Sequence, residues 1–193
     1  MSFFRPRAAG LVVALGLMLL TVSPQAAQQP YIDRVIVTTT AEDLLAYFNV
    51  AQAFAQESVR QAVMAGLPTT FTYLVELEEV RSFRADRLLA SFQLKRTIKL
   101  DTLSEIFTIT SGGNPNSVVT TSDWEEAQNL MTDVSGLRII SLAALEPART
   151  YRLRLSAQIL KPELPLGLKI FFFWVPLGDI ETEPYEVEFR RKK

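Results

Sequence analysis

The side chains in this chain that could do chemistry are mostly carboxylates. Its 193 residues include neither histidine nor cysteine. That removes Ser–His and Cys–His nucleophile pairs, thiolate chemistry and the usual zinc ligand sets. A carboxylate pair, a serine–lysine pair or an oxygen-liganded metal would have to serve instead. Glu76, Glu78 and Glu79 form one acidic group, and Asp179, Glu181 and Glu183 another. Successive side chains on a strand point to opposite faces, so Glu76 and Glu78 share one. Such a pair can serve glycoside chemistry or Ca²⁺ binding. The plainer reading, a solvated strand face, is preferred. Serine–lysine catalysis finds no positional support. The loop SGGNPN at 111–116 pairs glycines as a phosphate cradle would, but it lacks the lysine and the serine or threonine of a P-loop. The chain is therefore expected to be non-catalytic, with no cofactor and no metal.

Two other stretches invite a binding role. Arg81, Arg84 and Arg87 surround Phe83 and Asp86; they read as a solvated connection, with an anionic-ligand patch as the alternative. The segment Leu164–Leu177, LPLGLKIFFFWVPL, carries one charge, Lys169, and an aromatic run. It is too short to span a bilayer. It is either a buried strand or hairpin, or an exposed patch through which Leu166, Phe171, Phe172, Phe173 and Trp174 contact a membrane surface or a membrane protein, since aromatic residues favour that interface.

The elements that must position these residues are announced between Phe54 and Glu79. Ala55, Val59, Ala62, Val63 and Gly66 recur at helical spacing, which predicts a helix over about 55–65. Gly66 stops it, Leu67 supplies the hydrophobic contact of a Schellman turn, and Pro68 bars its resumption. The period then changes to two. Phe71, Tyr73, Val75 and Leu77 share one face, as a half-buried antiparallel strand requires. Burial of each such side chain contributes roughly 1.5–3 kcal/mol before entropy is subtracted.

Further strands are expected at Tyr31–Thr40, Leu44–Val50, Leu88–Leu100, Leu103–Thr110, Leu137–Leu142, Arg149–Leu160 and, as a closing acidic strand, Asp179–Phe189. In the fourth of these eight, counting the strand after Pro68, Leu88, Ala90, Phe92, Leu94, Ile98 and Leu100 face one way, interrupted by Arg96. A second helix is expected over about 122–134, with Ser122 as its cap and Glu125 completing a capping box. Its buried stripe would be Trp124, Ala127, Met131 and Val134. Ser135-Gly136-Leu137 then repeats the ending Ala65-Gly66-Leu67, which shared capping physics or an old duplication would explain. Arg190–Lys193 is a basic tail, solubilising or drawn to anionic headgroups.

Composition supplies the address. Arg5 and Arg7 precede an uncharged apolar run over 8–22 and the small or turn-forming residues of 23–27. That is the layout of an export signal. Cleavage after Ala27 or Ala26 leaves Gln25 or Pro24 at the third position back, neither favoured, so an uncleaved single-pass anchor is the alternative. With no cysteine after the run, a lipoprotein anchor is excluded. Of 20 basic residues, removing Arg5 and Arg7 leaves 18 against 21 acidic ones, a net of −3. No basic excess is available to hold nucleic acid by its phosphates. Residues 28–193 are expected to form one extracytoplasmic or periplasmic β-rich domain standing on its core alone.

The order of features resembles a known family. An exported N-terminus precedes a helix ending in Ala65-Gly66-Leu67-Pro68 and a strand with Val75-Glu76-Leu77. A long strand pair and a tryptophan-bearing helix follow. Then come Tyr151-Arg152-Leu153-Arg154, Leu164-Pro165, a phenylalanine run and Asp179-Ile180-Glu181-Thr182 before a last aromatic strand. Over Tyr31–Phe189 this is similar to the bacterial envelope proteins grouped as domain of unknown function 4390. The resemblance implies no activity and no functional residues. It implies, through neighbouring sensor-kinase genes, an accessory role in envelope sensing. The fold class expected is mainly β (α+β), with antiparallel sheets, sandwich-like, and two short helices packed on them. The function expected is an interaction or accessory module at the membrane face. Its alternatives are a periplasmic small-molecule or lipid carrier and a sensory accessory to a membrane signalling protein.

Overall fold

The computed structural model describes residues 29–112, 117–160 and 180–191. Two antiparallel sheets face each other. The smaller has the order β1 (Tyr31–Thr39), β2 (Asp43–Ala51), β7 (Asp133–Ser141). The larger runs β10 (Tyr185–Arg190), β8 (Thr150–Leu160), β3 (Thr69–Glu79), β4 (Arg87–Asp101), β5 (Ile106–Ser111), β6 (Ser117–Thr121), with the two-residue β9 (Ile180–Glu181) also paired to β8. The chain crosses between sheets three times, twice through an α-helix and once, from β7 to β8, through the loop that holds the 3-10 turn Leu142–Ala144. Helix α1 (Glu57–Met64) leads from β2 to β3, and α2 (Trp124–Thr132) leads from β6 to β7. The mainly β, sandwich-like α+β architecture expected from the alternation is the one observed.

Strand β3 lies between β4 and β8 and supplies the middle of the core. Phe71, Tyr73, Val75 and Leu77 are all buried, as their period-two spacing requires. Their partners on β8, Ile159, Ala157, Leu155 and Leu153, are buried beside them. The opposing layer adds Leu44, Ala46, Phe48 and Val50 from β2, and Phe48 meets Tyr73 edge to face at 5.9 Å between ring centroids. Phe54 packs on Phe71 and on Trp124, each at 5.2 Å. Edge and tilted contacts of this kind suit the aromatic quadrupole.

The end of α1 has the expected chemistry. Gly66 has φ +75°, its N–H donates to Val63 O at 2.9 Å, and Leu67 N–H donates to Ala62 O at 3.0 Å. These are the two bonds of a Schellman motif, and both Leu67 and Ala62 are buried. A Cβ on Gly66 would stand 3.1 Å from Leu100 O, a second reason for glycine.

Several local expectations are corrected. Ala55 is exposed and precedes α1; Ala53 and Phe54 take the buried places in the turn before it. The cap of α2 is Asp123, not Ser122, and its carboxylate accepts from Glu126 N at 2.9 Å. Gly136 does not stop a helix. It sits inside β7 at φ +65°, opposite Tyr47, where the β2–β7 register slips, so glycine serves a strand irregularity. The repeated Gly-Leu is thus two different pieces of backbone geometry, and Val134 is buried from β7 rather than from α2. In β4 the register slips between Leu77 and Glu78. The extra residue reverses the facing there, leaving Leu88 exposed and Leu89 against the core. Leu103 lies in a turn, and β5 begins at Ile106. The closing strand is two: β9 and β10 are separated by Thr182–Pro184, where Thr182 continues the ladder by accepting Ala157 N–H on its hydroxyl at 2.9 Å.

Arg96 is the inward charge that interrupts the apolar face of β4. Its guanidinium donates to Leu130 O at 2.9 Å and Asp133 O at 2.6 Å, covering the C-terminal end of α2 where carbonyls lack helical partners. It also lies over the Tyr73 ring, 5.8 Å from the centroid. Tyr73 hydroxyl donates to Met131 O in the same turn. Burial pushes the Tyr73 hydroxyl well above the ordinary tyrosine range, and nearby Arg96 offsets only part of that.

A tyrosine held protonated by the fold makes stability fall with alkali. Below about pH 10, the ordinary tyrosine value, both states keep the proton and the contribution is whole. Above it the unfolded chain releases the proton first, so stability declines as pH rises towards the folded-state value. Urea midpoints measured across the alkaline range should show this decline in the native protein. In Tyr73→Phe the decline should be reduced, against a stability lowered at neutral pH by about 1 kcal/mol for the lost hydrogen bond.

Candidate functional site

The acidic pair read from the sequence is already engaged. Glu76 and Glu78 do share a face of β3, the outer one, and Arg152 and Arg154 lie across from them on β8. Arg154 reaches Glu76 at 3.1 Å and Glu78 at 3.9 Å, and Glu186 on β10 at 2.8 Å. Arg152 reaches Glu188 at 2.7 Å and Asp86 at 2.9 Å. Acid, arginine and acid thus alternate across three strands. Cross-strand pairs of opposite charge contribute up to about 1 kcal/mol each, and their exposure keeps the total small. Glu181 accepts from Gln158 at 3.1 Å, and Glu183 is exposed. Among the described residues no cluster of three or more acidic side chains is placed to hold a metal ion.

Glu79 is different. Its side chain is only 9% exposed, and three arginines converge on it: Arg81 at 3.2 Å, Arg87 at 3.9 Å and Arg149 at 3.9 Å. The hairpin joining β3 to β4 is fixed around it. Asp86 accepts Arg81 N–H at 3.0 Å and holds Arg152 with its other oxygen, while Val80 N–H donates to Thr150 O at 2.9 Å. Arg149 comes from the loop before β8. There the buried Tyr151 hydroxyl accepts Glu146 N–H at 2.7 Å and donates to Glu146 O at 3.0 Å. Arg149 also pairs with Glu146 at 3.2 Å. The result is an open polar cleft of about 510 Å³, to which Arg84 and Phe83 also contribute. Phe83 is 98% exposed. The spacing of Arg81, Arg84 and Arg87 was legible in sequence. The contribution of Arg149 and Glu146 was not, because it depends on the pairing of β3 with β8.

A second cleft, about 550 Å³, opens where the two sheets part, lined by Val37, Leu44, Leu142, Leu145 and Phe189. Arg190 and Arg191 are docked at its edge. Arg191 donates to the carbonyls of Leu142 and Leu145, and Arg190 Nε to Ala148 O at 2.9 Å.

The sequence-predicted contact residues Leu166, Phe171, Phe172, Phe173 and Trp174 lie outside the described residues, as does the export-like stretch 1–27. Where the described chain leaves for them is defined. Leu160 pairs with Thr70, and Ile180 returns opposite Ile159. Tyr31 pairs with Ala51, three residues from Phe54, which packs on Phe71. Both departures therefore occur at the end of the sandwich where β3 begins. The arginine cleft lies at the other end, where β3 finishes. An 11-residue strand separates them, about 35 Å. The exposed turn after β4, with Leu103 at 96% exposure, belongs to the first end, since Ile98 pairs with Thr69.

The family described as Domain of unknown function (DUF4390) matches residues 27–188. No curated protein and no solved structure matches the chain. No helix among the described residues is long and apolar enough to cross a membrane.

Glu79 organises its end of the sheet by charge. Glu79→Gln should lower stability by about 1–3 kcal/mol in urea unfolding, because it leaves guanidinium groups facing one another over a half-buried site. Added salt should reduce the difference, and an unchanged midpoint would show the arginines are held by something else.

Proposed function

The chain belongs to the DUF4390 family, whose description names no activity, and from its own residues we propose that it is an exported, non-catalytic envelope domain that works as an interaction or accessory module at a membrane face. One observation carries this reading. The two apolar stretches of the sequence, 8–22 and 164–177, join the described fold at the same end. A domain that meets a membrane through one end must gather its apolar contacts there, and scattered attachment would argue against it. Leu103, exposed in the turn at that end, adds to the same side.

On this reading the N-terminal run directs the domain across the inner membrane, either as a cleaved signal or as a retained anchor. Leu166, Phe171, Phe172, Phe173 and Trp174 provide the contact, at the bilayer interface or on a membrane protein. A signalling protein is one partner of that kind, and the domain would then be its sensory accessory. The non-catalytic part of the reading is supported by a chain without histidine or cysteine and by carboxylates already paired with arginine.

The apolar cleft between the sheets favours a second reading, a small-molecule or lipid carrier. The two separate cleanly in one preparation. Replacing Phe171, Phe172, Phe173 and Trp174 by serine should move the protein from the membrane fraction to the soluble fraction and abolish cross-linking to its membrane partner. Unaltered fractionation and cross-linking would contradict the membrane-face role. Lipid co-purifying at one per chain, seen by native mass spectrometry, would support the carrier.

A further inference from the structure

We propose that the arginine-rimmed cleft at the β3–β4 hairpin binds a phosphate group. This site lies at the end away from the apolar stretches, so it stands whether or not the membrane-face reading does.

Charge is the first argument. Arg81, Arg84, Arg87 and Arg149 meet only Glu79 and Glu146 in the lining, an excess of two positive charges. The whole chain has a formal net charge of −1, so this is a local concentration rather than a general basicity. Availability is the second. Arg81 is spent on Glu79 at 3.2 Å, and Arg149 leans on Glu146 at 3.2 Å. Arg87 stands 3.9 Å from Glu79, beyond hydrogen-bond range, and Arg84 forms no ion pair among the described residues. Their donors face solvent. Buried Glu79 draws the guanidinium groups together without exhausting them, and Asp86 and Tyr151 hold the two backbone segments that carry them. A site fixed before the ligand arrives loses little entropy on binding.

Geometry selects the ligand class. A guanidinium fork matches two oxygens of an oxyanion. A carboxylate is filled by one or two forks. A phosphate monoester presents three terminal oxygens and close to two negative charges, so it can engage both Arg84 and Arg87 and match the local excess. Phe83, 98% exposed on the same lining, offers an aromatic face to whatever body the phosphate carries.

Calorimetry on the purified full chain at low ionic strength tests this, with inorganic phosphate, phenyl phosphate and acetate as probes. Phenyl phosphate should bind one to one and more tightly than phosphate, and acetate should not bind detectably. The Arg84→Gln, Arg87→Gln double variant, altered at exposed positions, should lose about tenfold or more in affinity for both phosphates. Phe83→Ser should remove the advantage of phenyl phosphate and leave inorganic phosphate unaffected. Co-sedimentation with phosphatidate vesicles, against phosphatidylcholine vesicles, identifies the source. Arginine-dependent sedimentation assigns the site to a lipid headgroup, and solution binding without it assigns the site to a soluble phosphorylated compound. Absence of both, or equal binding by the double variant, overturns the proposal.

Discussion

The fold turns on how one β3 side chain and one β4 side chain meet a helix end. Tyr73 carries its ring into the space between the sheets and its hydroxyl to Met131 O. Arg96, over that ring, holds Leu130 O and Asp133 O. Unpaired carbonyls at a buried helix end are costly, and here they are met by a cation and a phenol from the larger sheet. Because Asp133 opens β7, the same contacts set where the smaller sheet lies over the larger one. Asn49 on β2 completes the join by donating to Asp133 and, at 3.3 Å, to Thr132. Three polar side chains in a largely apolar interface thus fix the relation of the layers, which apolar burial alone would leave free to slide.

That fixed relation gives the molecule two unlike ends. At one, the chain departs toward its two apolar stretches, beside an exposed Leu103. At the other, the arginines of the hairpin and of the loop before β8 gather round Glu79, and Arg190 and Arg191 dock on nearby carbonyls. Between them, on the outer face, Arg152 and Arg154 of β8 bridge the acids of β3 and β10. The proposed membrane-face contact and the proposed phosphate site thus fall at opposite ends of the fold.

Much of the fold was legible because the alternation is strong. Phe71 to Leu77 and Tyr151 to Ile159 bury the faces their spacing requires, and Gly66 stops α1 by the expected bonds. What escaped sequence reading has specific causes. Strand β6, SVVTT, has no alternation of burial to reveal it, since it lies at the sheet's edge with both valines exposed. The bulge that swaps Leu88 for Leu89 is set by pairing with β3, which no window of β4 contains. Gly136 looked like a second helix stop because a glycine at positive φ serves both a helix end and an irregular strand. Arg96 read as a flaw in an apolar face, whereas its partners are carbonyls 34 and 37 residues away. The arginine cleft was half legible for the same reason: its hairpin is local in sequence and its fourth arginine is not.

The polarity of the molecule is the claim most exposed to test, and a chain without cysteine makes the test simple. Ser104 lies in the exposed turn at the end with the apolar stretches, and Ser82 in the exposed hairpin at the other. Each can be replaced singly by cysteine and labelled with a fluorophore on the full chain added to phospholipid vesicles. Quenching by a lipid-borne spin label then reports distance to the bilayer. The label at Ser104 should be quenched much more strongly than the label at Ser82. Equal quenching, or the reverse order, would contradict the account.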